Sequence, residues 1–484
     1  MRVENEMKMT REEALAYKIP RKEAWFGDKD FYIKVLSVTL PMIAQNTLTN
    51  VVGLLDNVMV GRIGTYPMSA VSIVNNLVLI FYLCIWGALA GAGIYGTQFF
   101  GKGDLEGVRS TMRMKLWTAA IITGTAFILF TVLGETLIGS YIAADTTPEA
   151  AALTMRHAKD YLRIIMVSFI PFGLCQVYSG TLRESGKTRL PMLAGMTAMV
   201  VNFIFNLLLI FGYLGFPRLG VVGAALATAL SRFVELFIVV FFTHRNKQRY
   251  PFAEGLYRTL LVPSKLAGKT LAKILPLLGN EFLWSAGQAM LLQCFSVRGL
   301  NVVAAMNITH TIQNVFMEVF LSMGYAVGVL CGQELGANRL VTARMTSSRM
   351  TMFSVLSSVG VAGLMIAVSP IVPHIYNTEP EIRALATTFL IIYAACMPIE
   401  AYTNAAYFTL RSGGKTLITF LFDACFVWLF SVPTAFILTR FTDLHITGVL
   451  TCVLLMGIIK CLVGHVMVSR GMWVNNIVAD NLLE

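Results

Sequence analysis

Charge is scarce in this sequence, and its scarcity excludes more than any motif does. Asp, Glu, Lys and Arg make up 13% of the 484 residues, against about 25% in soluble globular chains. Hydrophobic residues reach 56% and mean hydropathy is +0.68, which rules out an ordinary soluble globule. Metal and disulfide chemistry lack their signatures as well. The eight cysteines stand at 84, 175, 294, 331, 396, 425, 452 and 461, within or beside apolar runs and without CxxC spacing, so neither a zinc site nor a disulfide framework is implied. The six histidines are scattered singly; His310 alone lies deep in an apolar run, where a lone imidazole is more often packed than metal-bound. A cleaved secretory signal is not expected at the amino end, because the first 33 residues are mixed-charge and hydrophilic before a full-length apolar run begins. Nothing points to a resident cofactor.

What is present is a series of apolar runs of about 20 residues or more, the length that crosses about 30 Å of hydrocarbon. About twelve are expected, centred near Ala44, Phe81, Ala126, Val167, Asn202, Leu230, Trp284, Phe316, Val359, Ile392, Leu429 and Met456. The expected fold is an all-α polytopic membrane protein. The net charge of +11 invites a nucleic-acid reading, but the basic residues fall on alternate loops. They crowd the tail from Arg2 to Lys34, then Lys102 to Lys115, Arg183 to Arg189, Arg245 to Lys273, Arg339 to Arg349, and Arg411 with Lys415. This is the positive-inside asymmetry, which predicts both termini in the cytoplasm of a cell-membrane protein and makes nucleic-acid binding unnecessary. Lipid and small molecules are the expected partners, and the chain is expected to act as a monomer.

The chain also repeats itself. Gly96–Ser110, GTQFFGKGDLEGVRS, resembles Cys331–Arg344, CGQELGANRLVTAR, with Gln98 and Gly101 matching Gln333 and Gly336, both 235 positions on. Pro41 and Pro276 share that offset. TLRESGKT at 181–188 matches TLRSGGKT at 409–416 at an offset of 228. Two six-helix halves follow. An even number of spans per half gives parallel repeats, related by an axis along the membrane normal, with a central cavity expected between them. The expected divisions are a tail at 1–33, an amino lobe at 34–243, a linker at 244–270, a carboxyl lobe at 271–470 and a tail at 471–484.

Polar residues inside the runs fall on helical faces. Gln45, Thr49 and Asp56 share one face at 100° per residue, and an ionisable group at membrane depth is a functional-site hypothesis by default. The competing reading places Asp56 at the interface, merely ending its helix. Asn202 and Asn206 stand four apart. Asn307, Thr311, Asn314 and Glu318 form a stripe, as do Glu400, Asn404, Tyr407 and Arg411. Glu281 and Gln288 share a face, with Trp284 between them, and Asn76 lies in the second run beside Ser72 and Asn75. Interhelical hydrogen bonding competes with cavity lining for every one of these amides and hydroxyls. Arg232 and Glu235, three apart, read as a structural ion pair; Asp423 stays ambiguous.

At LLDNVMVGRIG from Leu54, FFGKGD from Phe99, the TLRESGKT and TLRSGGKT pair, and LGVVGAALATALSR from Leu219, the chain resembles the multidrug and toxic compound extrusion (MATE) family of secondary transporters. The resemblance covers nearly everything after the tail. It implies a Na+ or H+ antiporter that expels organic, often cationic and amphipathic compounds by alternating access. It also implies roles. Asp56 matches the acidic residue of the family's first helix and Asn202 an Asn on the fifth, while Asn206 stands where one branch carries Asp and another Asn. Glu400 matches an acidic position of the tenth helix. Glu281 resembles the seventh-helix Glu, though its spacing to Ala304 and Ala305 is about one turn longer.

The chemistry explains why carboxylates are wanted. A desolvated carboxylate has a raised pKa and holds a proton until water enters, and the same oxygens, joined by Asn carbonyls, suit a hard cation such as Na+. The expected ion site is Asp56 with Asn202 and Asn206. The expected substrate and cation cavity is lined by Gln45, Thr49, Asn76, Glu281, Trp284, Gln288, Asn307, Asn314, Glu318, Glu400, Asn404 and Tyr407. No catalytic residue is expected. Two other classes stand beside this one: a flippase for lipid-linked oligosaccharide or lipid, which needs basic groups to meet phosphate, and a polytopic membrane enzyme, which needs a catalytic cluster that the short loops lack.

Overall fold

A computed structural model describes residues 9–142, 147–376, 378–480 and 482–483; Arg2 and Lys8 of the predicted tail lie outside the described residues. Among the described residues there is no strand, and twelve long helical segments follow one another. In the first half they are α1 (Lys29–Gly61), α2 (Thr65–Lys102), α3 (Leu105–Gly139), α4 (Pro148–Glu184), α5 (Arg189–Phe211) and α6 (Val221–Arg245). In the second half they are α7 (Ser264–Ser296), α8 (Leu300–Gly336), α9 (Leu340–Val368), α10 (Pro380–Ser412), α11 (Thr416–Phe441) and α12 (Ile446–Ser469). The protein is an integral membrane protein. Ten of the segments, among the described residues, are long and apolar enough to cross a membrane. The two that fall short are α1 and α7, because each devotes a face to amides, lysines and a carboxylate.

Those two helices display the repeat most directly. Each has 33 residues, and each has one internal proline, Pro41 and Pro276. A proline there removes the N–H owed to the carbonyl four residues back, so each helix is weakened at the matching place. The matched motifs behave alike as well. Gly186 and Gly414, equivalent in TLRESGKT and TLRSGGKT, both have φ near +75°, at 73° and 75°. This is the left-handed conformation that ends a helix and that glycine adopts without steric cost. Gly103 at φ 78° has Asn338 at φ 57° as its counterpart, asparagine being the side chain that best tolerates that region.

The chain divides into two compact units. One comprises Leu40–Gly96 and Leu105–Ala267; the other comprises Met1–Thr39, Thr97–Asp104 and Gly268–Glu484. In the first, α5 and α6 pack along each other, and α4 is interrupted at a short 3-10 turn, Met166–Ser168. Pro171, just beyond it, cannot donate to the carbonyl of Val167. Phe81 of α2 stacks on Phe169 at that break, 4.2 Å between centroids. Lys115 of α3, fully buried, pairs with Glu184 at the end of α4. The glutamate fits because Gly93 and Gly96 leave room; a Cβ on either would meet its carboxylate. The linker is ordered against the same unit, with Arg113 donating to the carbonyls of Leu256 (3.0 Å) and Gly255 (3.3 Å).

In the second unit, the core lies among α8, α9, α10 and α12 around Phe320, Met365, Phe389 and Met397. Gly101 and Gly336 bring the two motif copies into backbone contact there. A Cβ on Gly101 would collide with the carbonyl of Gln333, and one on Gly336 with the carbonyl of Gln98. The carboxyl tail is held by the same motif. Gln98, fully buried, donates to the carbonyls of Ser412 (2.9 Å) and Asn475 (3.2 Å) and accepts from the N–H of Ile477 (2.9 Å). The amino tail forms two short helices, Arg11–Ala16 and Arg21–Trp25. Arg344 of α9 caps the first by donating to the carbonyls of Ala14 (2.6 Å) and Tyr17 (3.1 Å).

Candidate functional site

Within the first unit, α1, α2, α4, α5 and α6 line an open cavity of about 330 Å³ formed by Thr49, Asn50, Gly53, Asp56, Asn57, Val60, Val71, Asn75, Tyr82, Tyr161, Ile165, Asn206, Ala224 and Thr228. Asp56 is the only charged residue among these. It stands seven residues from Thr49 on α1, so both side chains emerge on one face. Across from it on α5, Asn206 donates to Asp56 Oδ1 at 2.6 Å and to Asn202 Oδ1 at 3.0 Å. Asn202 in turn donates to Thr228 Oγ1 of α6 at 3.3 Å. The chain of amides thus delivers donors toward the carboxylate and leaves acceptors behind it. Among the described residues Asn206 Oδ1 is buried with no hydrogen-bond partner, and a buried unsatisfied acceptor is costly unless something positively polarised reaches it.

A fixed cation on α6 acts on Asp56. Arg232 lies within Coulombic reach of Asp56, but its guanidinium is committed to Glu235, 2.8 Å away, and rests near the Phe172 ring at 5.4 Å. The expected structural ion pair is therefore made. Arg232 acts on Asp56 through its field, and among the described residues Asn206 donates to the carboxylate.

The other sequence-derived candidates are distributed unevenly. Thr49 lines the cavity, its hydroxyl donating to the carbonyl of Gln45 at 2.8 Å. Gln45 itself is buried outside the cavity, where its Oε1 accepts from Arg183 (3.3 Å) and its amide lies over Gly195. Asn76 is exposed and outside the cavity; its neighbour Asn75 lines it and accepts from the Tyr161 hydroxyl at 3.3 Å. In the second unit, Tyr407 is buried and accepts from Asn280 at 3.5 Å. Glu281 lies within Coulombic reach of Arg411 and Asp423, and Glu400 within reach of Lys460 and Asp423. Gln288, Glu318 and Asn404 are partly buried, whereas Trp284, Asn307 and Asn314 are exposed.

Tyr82, Tyr161 and Thr228 were absent from the sequence-derived set. A signal existed for two of them. Asn75 and Tyr82 are seven apart on α2, and Thr228 is four and seven residues before Arg232 and Glu235 on α6, so each pair continues a polar face. Tyr161, on α4 before its break, gives no such signal.

Comparison with known proteins agrees with this architecture. A family model described as MatE matches residues 41–208 and 276–437, one match in each half. The chain is 25% identical over 421 residues to the probable multidrug resistance protein NorM of Thermotoga maritima, covering 86% of this chain and 87% of that one. It is 25% identical over 405 residues to the multidrug resistance protein PmpM of Pseudomonas aeruginosa, covering 83% of each. Among solved structures, the Vibrio cholerae MATE transporter VcmN superposes with a TM-score of 0.80 at 16% identity, over 96% of this chain and 100% of that one.

Proposed function

Since this chain belongs to the MatE family and is a transporter rather than an enzyme, we propose that it is a multidrug exporter that exchanges organic cations for Na+ or H+ by alternating access. The observation that supports this reading is the environment of Asp56. A lone carboxylate in a 330 Å³ cavity, held by one amide and adjoining an unpartnered amide oxygen, offers a hard cation the oxygen donors it prefers. The same carboxylate can take a proton instead when the cavity dries. Asp56, Asn202 and Asn206 form the coupling-ion site in this proposal. Glu281, Glu400 and Glu318 keep the carboxyl lobe electronegative for a cationic substrate.

Exchange then follows from competition. Ion and organic cation favour the same negative charge, or bias the same conformational equilibrium in opposite directions, and either arrangement couples the two fluxes. Aromatic faces such as Tyr82 and Tyr161 add cation–π attraction without demanding one substrate shape. In this reading the protein sits in the cell membrane with both termini cytoplasmic, works as a monomer amid lipid, binds no nucleic acid and uses no resident cofactor. A flippase for a lipid-linked phosphate would want cationic side chains in its cavity; among the described residues lining this one there are none.

The test is efflux of a fluorescent organic cation from proteoliposomes, with Na+ and proton gradients imposed separately and Asp56→Asn as control. Transport driven by one gradient and lost in the variant is expected, and it names the ion. Undiminished gradient-driven efflux in Asp56→Asn would remove Asp56 from the coupling site.

A further inference from the structure

The second unit contains a carboxylate whose position has no acidic counterpart in the first half. Asn280 of α7 corresponds to Gln45 of α1 through the 235-residue offset, and Asp423 of α11 corresponds to Gly195 of α5 through the offset of 228. Both pairs touch. Gln45 lies over the bare Gly195, where a Cβ would come within 2.9 Å of its amide nitrogen. Asn280 instead donates to Asp423 Oδ2 at 3.1 Å and accepts from the N–H of Ala424 at 3.2 Å. The second half thus carries a carboxylate where the first has a bare glycine covered by Gln45.

That carboxylate arrives with its own cation. Lys460 of α12 donates to Asp423 Oδ1 at 2.7 Å, and both side chains are largely buried, 16% and 18% exposed. Its ammonium also sits 5.3 Å from the Phe422 ring centre and 6.0 Å from that of Phe426, so two π-faces and a carboxylate replace its water. Here α11 is wound wide, with π-turns at Leu421–Cys425 and Val427–Ser431, a feature that recurs where helices serve a site. Glu281 and Glu400 lie within Coulombic reach, with Arg411 and Tyr407 beside them.

We propose that Lys460 is a tethered counter-cation that occupies Asp423 and keeps solute cations off it. At Asp423, as at Asp56, a carboxylate accepts from a buried amide; Asp423 differs in having an ammonium delivered by the neighbouring helix, and its amide oxygen is taken by the N–H of Ala424. Lys460 therefore acts as a specificity-determining residue, confining cation binding by this pair of sites to the first unit. The comparison with Asp56 rests on the proposed ion site, but occupation of Asp423 by Lys460 does not.

Equilibrium binding of radioactive Na+ to the purified full-length protein tests this, with choline balancing ionic strength and the pH held near about 8.5 so that exposed carboxylates are ionised. Lys460→Met is expected to bind one more Na+ per chain than the unaltered protein, and adding Asp423→Asn is expected to remove that gain. Lys460→Arg is expected to keep the original count. Repeating the series in Asp56→Asn separates the two readings, because the gain at Asp423 should persist whether or not Asp56 binds an ion. Should Lys460→Met fail to fold, Lys460→Gln serves the same purpose with a shorter polar side chain. A folded Lys460→Met or Lys460→Gln protein with no Asp423-dependent gain overturns the proposal, as does a lost Na+ in Asp423→Asn with Lys460 in place.

Discussion

Gly336 presents its bare α-carbon to the carbonyl of Gln98, and Gly101 does the same to the carbonyl of Gln333. The contact is backbone against backbone, so no side chain can swing aside to admit a methyl group. Gly336→Ala is expected to lower the thermal midpoint in detergent, at a cost of about 1–3 kcal/mol or more. Gly360→Ala is the control, since a Cβ there meets nothing within 4 Å. In mid-helix it should be neutral or stabilise by about 0.5–1 kcal/mol. Equal shifts in both variants would show that the close approach at Gly336 does not decide stability.

Asn206 donates to Asp56, and among the described residues its own oxygen is an unpartnered acceptor beside it. Asn206→Ala removes both features while leaving the carboxylate. A hydrogen bond to a charged group is worth about 1.5–3 kcal/mol, so the ion concentration for half-maximal efflux should rise roughly 10–100-fold. Ion titration of transport in proteoliposomes reads this. An unchanged half-maximal concentration would mean that Asn206 supports the helix pair and not the ion.

Lys115 and Glu184 form a pair with Lys115 almost wholly buried. Removing one partner strands a buried charge, so Lys115→Met alone should destabilise by about 3–5 kcal/mol. Adding Glu184→Gln should recover most of that loss. Thermal unfolding of the two single variants and the double variant forms the cycle, and simple additivity of the two losses would contradict the geometry.

The amide of Gln98 satisfies Asn475 and Ile477 in the carboxyl tail. Gln98→Ala leaves that backbone with water as its only substitute. Hydrogen exchange over residues 473–480 should accelerate about 10-fold, in keeping with a net hydrogen-bond worth of about 1 kcal/mol or more. Exchange that stays slow would assign the tail's order to Trp473 and Val474, which are buried beside it.

Much of this architecture was legible because the chain says it twice. The offset that pairs Pro41 with Pro276 also pairs both ends of α1 with both ends of α7, and the paired glycines of the TLR motifs share their left-handed φ. The four-residue step between Asn202 and Asn206 puts both on one face of α5, whereas their grouping with Asp56 on α1 was what the family resemblance implied. What escaped was whatever depends on one residue's rotation or on a distant helix. Asn280 and Glu281 differ by about 100° around α7, and it is Asn280 that reaches Asp423. Asn75 and Asn76 divide in the same way. Hydropathy alone passes over α1 and α7, because the polar faces that make them informative also make them too polar to register as spans.

The end of α2 has a history as well as a position. Gln98 is bonded to partners 314 and 377 positions later in the chain. At a synthesis rate of about 5–20 residues per second, Asn475 is made roughly 20–75 s after Gln98. Throughout that interval a buried amide of the finished protein must stay in water or find a temporary partner. Maturation of the second unit is therefore a late event in biosynthesis, and a ribosome stalled before the last helix would hold a first unit able to close beside a second that cannot.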